Sequence, residues 1–307
     1  MGWCYPEYGR LRTVLMHAPG KELELVRPRT YERFLFADAI DAEQFRTDHG
    51  RFVDVLRAEG VNVVLLTELL PQRSGLLSSA ERLPNLVYTR DTVAVTQAGY
   101  VLARMKSVVR RNETRIVEAA LRELGIPMLM KSEAPTTVEG GDLVFLDEET
   151  LLVGVGNRTN SRGLHELTKA ATKSGLPRLV AVPLPSWVIH LDGTMMVIDR
   201  DLAVVHPRSL RNTASVFEDG RLSRHVRFVQ FLEASGIKLI EVTDYERQRR
   251  ATNVIAIGPR KVVGYSGNAR LKRELAENGV DVIEIEGTEL IRGFGGPRCM
   301  TVPILRD

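Results

Sequence analysis

Cysteine is almost missing from this chain: Cys4 and Cys299 are the two thiols in 307 residues. A disulfide framework is thereby excluded, and two thiols cannot build a four-thiolate zinc site. Thiols this scarce suit a reducing compartment, so a cytoplasmic setting is expected. Long apolar runs are missing too. No stretch approaches the ~18 apolar residues of a membrane span, and the opening Met1-Gly2-Trp3-Cys4-Tyr5-Pro6-Glu7 lacks the apolar core of a secretory leader. Pro6 at the sixth position argues against myristoylation of Gly2. An excess of one charge is also missing. The net charge is +3, and basic clusters such as Arg247-Gln248-Arg249-Arg250 read as a solvated face rather than a nucleic-acid surface. Neither a dinucleotide fingerprint after the first strand nor a histidine cluster is present, so no cofactor and no metal are expected. What remains, 44% hydrophobic and 26% charged, is the composition of an ordinary globular protein. Whether copies assemble into a homo-oligomer is not readable from it.

The apolar segments follow one grammar. Val93–Thr96 and Tyr100–Arg104 flank a short polar turn, as do Leu143–Leu146 and Leu151–Val155, Met195–Ile198 and Leu202–His206, and Val254–Ile257 and Lys261–Tyr265. Each pair predicts a hairpin. Helical spacing follows each hairpin, over Glu113–Leu124, Ser161–Ser174, Arg221–Ser235 and Arg270–Asn278, and near the front over Ala42–Glu59. Each helix stops at a glycine, namely Gly60, Gly125, Gly175, Gly236 and Gly279, and a strand follows. The stops lie 65, 50, 61 and 43 residues apart. Five units of hairpin, helix and strand predict a closed α/β array in one domain, without a linker. The first unit shows a single strand before its helix, Leu11–Met16, and Met300–Leu305 is placed to complete it. Pro71–Ser79 is the best candidate for a mobile loop or lid.

In such an array equivalent hairpin ends face a shared axis. The polar residues entering the hairpins are Asp91, Glu139, Asp142, His190 and Asp192, and Cys299 enters the closing strand. Taken singly, the aspartates read as turn caps and a lone Cys or His as structural. Their common register favours a site. A thiolate attacks electrophilic carbon but must be activated, either by a base such as His190 or by a substrate that carries positive charge. His190 can pass protons to a leaving amine and from water, and Glu139 is placed to orient it. Two further carboxylates, Asp91 and Asp192, would repel the oxyanion of an acyl transfer. They suit a planar cation, because carboxylate and guanidinium pair bidentately.

The motifs Asn85-Leu86-Val87-Tyr88-Thr89-Arg90-Asp91, Glu139-Gly140-Gly141-Asp142, His190-Leu191-Asp192-Gly193-Thr194 and Gly295-Gly296-Pro297-Arg298-Cys299-Met300-Thr301 resemble those of arginine deiminases, within the guanidine-modifying superfamily. The resemblance runs from about residue 8 to the C-terminus. It implies a pentein fold, a five-bladed α/β propeller of ββαβ units with pseudo-fivefold symmetry. Residues 1–307 would form this single catalytic domain, without the helical insertion many deiminases carry. It implies hydrolysis of L-arginine to L-citrulline and ammonia through an amidino-cysteine intermediate. Cys299 resembles the nucleophile, His190 the general acid/base, Glu139 the third catalytic residue, and Asp91 and Asp192 the guanidinium-binding pair. Arg110 and Arg158 resemble arginines that hold the α-carboxylate, and Asn85 a residue near the amino-acid end. Phe294 departs from the pattern, standing where many deiminases have another arginine close to that carboxylate. The rivals are a dimethylarginine dimethylaminohydrolase, an arginine dihydrolase forming ornithine, an amidinotransferase, a cysteine peptidase and a non-catalytic pentein that binds a macromolecule.

Overall fold

The computed structural model describes residues 6–70 and 75–307. Strand β1 (Leu11–Met16), helix α1 (Ala42–Ala58) and β2 (Asn62–Leu65) lead into two short helices, α2 (Leu66–Leu69) and α3 (Leu76–Ala80). Hairpin β3 (Val93–Thr96) and β4 (Gly99–Leu102) precedes α4 (Glu113–Glu123) and β5 (Met128–Lys131). The third unit runs β6 (Leu143–Phe145), β7 (Thr150–Val155), α5 (Ser161–Lys173), β8 (Arg178–Pro183). The fourth begins with β9 (Met195–Asp199) and β10 (Leu202–Val205). A second hairpin follows, β11 (Thr213–Glu218) and β12 (Arg221–Arg227), before α6 (Phe228–Ala234) and β13 (Lys238–Glu241). After the short α7 (Asp244–Gln248) come β14 (Ile255–Gly258), β15 (Lys261–Tyr265), α8 (Ala269–Glu277), β16 (Asp281–Ile285) and the closing β17 (Val302–Arg306). Cys4 and residues 71–74 of the expected lid lie outside the described residues; the rest of that segment enters α3.

These elements make five small sheets of an α/β protein. In four of them the hairpin's second strand also pairs in parallel with the strand beyond the helix: β4 with β5, β7 with β8, β10 with β13, β15 with β16. A parallel partner requires a crossover, which the helix supplies. In the remaining sheet β1 runs parallel to β2 and antiparallel to β17, so the last strand completes the first unit as expected. The closing glycines behave as their positions require. Gly60, Gly125, Gly175, Gly236 and Gly279 all have φ between 69° and 79°, the left-handed conformation that ends a helix.

Five apolar clusters each join two neighbouring sheets, in cyclic succession. Leu15 and Val302 share a cluster with Val93 and Tyr100. Val101 joins Leu143 and Val153, Val144 joins Val197 and Ala203, and Val204 joins Val262. Val263 returns to Val14 and Met300. The hairpin strands are covered by helices on one side and by other strands on the other, and so read as nearly continuous apolar runs.

One expected element is corrected. The helix anticipated over Arg221–Ser235 is a strand, β12, as far as Arg227, and only Phe228–Ala234 is helical. The cause is local. Asp219 and Gly220, at φ 49° and 77°, form the tight turn that an Asp-Gly pair favours in hairpins. β11 then pairs with the otherwise open edge of β8, making that sheet five-stranded. Phe228 and Leu232 alone of the expected helix's apolar face are buried, which supports two turns and no more.

Candidate active site

The polar residues singled out by register enter through equivalent structures. Asp91 lies in a 3-10 turn directly before β3, Asp142 in one before β6, and Asp192 in one before β9. Asn253 and Cys299 stand in the turns that precede β14 and β17. Glu139 and His190 are the residues just ahead of their turns. All of them are buried.

Nε2 of His190 donates to Glu139 Oε2 at 2.8 Å, and its Nδ1 lies 3.5 Å from Asp91 Oδ1. That approach depends on Gly141: a Cβ there would come within 2.7 Å of the imidazole and 2.8 Å of the Asp91 carboxylate. Asp142 sits behind this pair. It accepts from Thr159 Oγ1 at 2.7 Å and from the Leu191 backbone N–H at 3.1 Å, tying the Glu139 segment to the His190 segment. Glu139 Oε1 accepts from the backbone of Lys106 at 2.8 Å, while Oε2 also receives Arg158 at 3.2 Å.

The charges follow from this packing. Burial alone would neutralise His190, but Asp91, Glu139 and Asp142 outweigh it and raise its pKa to about 9. Burial likewise works against the Glu139 carboxylate. The His190 hydrogen bond and the charges of His190, Arg158 and Arg110 nevertheless hold it at about 2. His190 is therefore an imidazolium at neutral pH. We expect its NMR titration midpoint near pH 9, and Glu139→Gln to lower that midpoint by ~1 unit or more. A midpoint unmoved by the substitution would remove Glu139 as the partner. The sign for stability follows. The folded value lies above the ordinary 6.5, so the contribution is complete below pH 6.5 and fades as pH rises through about 9.

Cys299 Sγ lies 3.6 Å from Asp192 Oδ2, and its backbone N–H donates to Asn253 Oδ1 at 3.2 Å. Burial, followed by the Asp192 and Asp91 charges, pushes its thiol well above the usual range. The free site thus holds a protonated thiol beside two carboxylates, with no attacking anion until a cation enters. Asp91, Glu139 and His190 also form the set, among the described residues, that could hold a metal ion, with ligand atoms all within 4.8 Å. Protonation of the imidazole opposes that use.

Two lobes of a cavity meet at this point. The wider, about 420 Å³, is lined by Asp192, Asn253, Trp187, Arg247 and Arg250 among others; the narrower, about 180 Å³, by Asn85, Asp91, Arg110 and Arg158. Cys299, His190, Ile189 and Phe294 line both. The two expected cation-binding carboxylates therefore flank the thiol from opposite lobes.

The expected carboxylate-holding residues fare differently. Asn85 donates to the Phe34 carbonyl at 2.7 Å, and its Oδ1 is buried without a partner, ready to accept. Arg158 reaches the narrow lobe but is engaged by Glu139. Arg110 also lines the narrow lobe and is engaged more fully. Its guanidinium pairs with Asp91 at 2.5 Å and Glu113 at 2.8 Å, and donates to the carbonyls of Asn85 and Tyr88. It thereby holds the Asp91 carboxylate in place. Sequence reading also passed over Arg298, which is fully buried between Glu7 (2.6 Å) and Asp192 (2.9 Å). Its place next to Cys299 was the only available signal.

The fold is shared with solved enzymes named for acting on arginine and on its dimethylated form. A dimethylarginine dimethylaminohydrolase from Pseudomonas aeruginosa, solved with citrulline, superposes with a TM-score of 0.74 at 22% identity, over 96% of this chain and all of that one. The N-terminal domain of a cyanobacterial arginine dihydrolase, solved with its product, gives 0.75 at 18%, over 96% and 97%. Within that class the arginine deiminase family model matches residues 78–306, and the chain belongs to the arginine deiminase family. The arginine deiminase of Streptococcus uberis is 26% identical over 400 aligned positions, covering 99% of this chain and 97% of the relative. No helix among the described residues is long and apolar enough to cross a membrane.

Proposed function

We propose that this protein hydrolyses L-arginine to L-citrulline and ammonia, with Cys299 as nucleophile. The observation that carries this is the meeting of a buried thiol, an imidazolium and two flanking carboxylates at one junction. A guanidinium seated between Asp91 and Asp192 offsets their negative charge beside Cys299 and so favours the thiolate, the S–H proton leaving to solvent because His190 is already protonated. Sγ attacks the central guanidinium carbon, forming a C–S bond. His190 gives its proton to the departing nitrogen, and the C–N bond breaks to release ammonia. The amidino-thioether remains. Neutral His190 then takes a proton from water, whose oxygen adds to the same carbon. The C–S bond breaks, returning the thiolate and releasing citrulline. Glu139 keeps the imidazole oriented throughout. Asn85, with its free Oδ1, faces the amino-acid end, Arg158 braces Glu139, and Arg110 holds Asp91 in place.

The cyclic succession of apolar clusters supports reading the five sheets as blades of a closed pentein propeller in a single domain. The alignment with the streptococcal deiminase spans 400 positions and this chain has 307 residues, so at least 93 positions of that alignment find no residue here. This supports a compact form without the helical insertion. The scarcity of cysteine supports a cytoplasmic setting.

Incubation with arginine and, separately, with methylated arginines tests the activity, with ammonia, citrulline, ornithine and methylated amines all quantified. Citrulline and ammonia in equal amounts from arginine are expected. Ornithine formed from arginine without an added amine would replace this reading with dihydrolysis. Turnover confined to dimethylarginine, with dimethylamine released, would replace it with the methylarginine reaction.

A further inference from the structure

Arg250 stands at an unusual place in the backbone. It follows the short helix α7, its φ is 60°, and its N–H bonds to the Arg247 carbonyl. The five helices that alternate with the strand pairs end at a glycine in this same left-handed conformation. Glycine adopts it without strain and arginine does not. Leu35, Asp219, Arg260 and Phe294 share a positive φ, so the conformation marks Arg250 for a closer look and its side-chain contacts must carry the argument.

That side chain lines the wide lobe with Cys299, Asp192 and Asn253. Its guanidinium lies over the Phe294 ring, 5.3 Å from the centroid. It makes no ion pair among the described residues, and its Nε is buried without a hydrogen-bond partner. Arg247, in the same lobe, has among the described residues only the Trp187 ring, at 4.8 Å, against its guanidinium, and its Nε is likewise buried without a partner among them. Burial disfavours both cations, and the charge of Arg250 further disfavours that of Arg247. The third arginine of the lobe, Arg292, is committed to Asp38 and Glu289. In the narrow lobe Arg110 and Arg158 are already paired with carboxylates. The unspent positive charge of the site is therefore on the Arg250 side.

We propose that Arg250 seats the carboxylate of the guanidino substrate, and so sets the preference for guanidino acids over guanidino amines. The proposal rests on the reading of the site as a guanidinium-processing one. With the guanidinium between Asp91 and Asp192, the substrate's far end reaches the rim where Ile189 and Phe294 border both lobes. The amino group turns to the free Asn85 oxygen in one lobe and the carboxylate to Arg250 in the other. A carboxylate placed on Arg158 would instead compete with Glu139 for the same guanidinium.

The test compares kcat/KM for arginine with that for agmatine, which is arginine without its carboxylate. Arg250→Gln is expected to lower the arginine-to-agmatine ratio by ~10- to 100-fold, chiefly through KM for arginine. Arg250→Gly, which relieves the backbone, should show the same loss in a protein at least as stable, separating the effect from misfolding. Arg158→Gln should leave the ratio nearly unchanged. Equal losses on both substrates, or a selectivity change at Arg158→Gln instead, would overturn the assignment. A parallel arm measures the affinity of Cys299→Ala for the same two ligands, with and without Arg250→Gln. If the native chain releases no product from arginine, the proposed activity fails, while this binding ratio still decides the role of Arg250. No binding of either ligand, or a ratio indifferent to Arg250, overturns it.

Discussion

Replacing Cys299 with alanine is expected to abolish turnover, lowering kcat roughly ten-thousand-fold or more. The argument is chemical. Among the described residues no other thiol lines either lobe, and the one hydroxyl side chain that does, Tyr88, donates its O–H to the Leu290 carbonyl at 2.8 Å. Water cannot substitute readily, because the guanidinium carbon is a poor electrophile and Asp91 and Asp192 stabilise the ground-state cation as well as the transition state. The variant should stay folded and bind arginine. Cys299 is a small side chain, and its removal takes away a thiol that sits 3.6 Å from a carboxylate. Ammonia release, ligand affinity and a denaturation curve on the same sample check the three statements together. Unchanged turnover would end every covalent scheme for this site.

The largest expected loss of stability comes from Arg298. Its guanidinium is wholly buried and joins Glu7 near one end of the chain to Asp192 before β9, with a further hydrogen bond to the Leu143 carbonyl at 2.8 Å. Burial works against the Glu7 carboxylate, but Arg298 and its charged neighbours hold it at about 2. Arg298→Met removes the cation and leaves two buried carboxylates without it. Breaking a buried pair in this way costs about 3–5 kcal/mol, far more than the intact pair contributes over an apolar replacement. The denaturation midpoint should fall accordingly. Adding Glu7→Gln should recover part of the loss, because one uncompensated charge has gone. Arg298→Lys should recover little, since an ammonium cannot span Glu7, Asp192 and a carbonyl as the planar fork does. Activity should fall too, as Asp192 loses the partner that aims it. A variant as stable as the native chain, with Glu7 intact, would show that this network contributes nothing.

Much of the fold was legible because its signals are local. Glycines that close helices carry a φ that few other residues adopt readily, and a strand covered on both faces has to be apolar along its length. The repeat could therefore be counted from punctuation alone, and β17 could be placed beside β1 before any contact was known. The same rule misled at β11–β12. There the helical spacing around Phe228 was extended backward through Arg221–Arg227, and the Asp219-Gly220 turn was overlooked. In the site, register selected Asp91, Glu139, Asp142, His190, Asp192 and Cys299; Asp91, His190, Asp192 and Cys299 line the two lobes, Glu139 is bonded to His190, and Asp142 sits behind them.

What the sequence determined by itself is the set of chemical groups and the repeat that carries them to a common axis, since periodicity and turn residues act over a few positions. The tertiary structure decided how the charges are shared. Arg298 meets Glu7 across 291 residues, and Arg110 meets Asp91 across 19. Whether an arginine serves a carboxylate of its own chain or stays free for a ligand depends on which groups share its low-dielectric surroundings, and that is set only when the sheets close on one another.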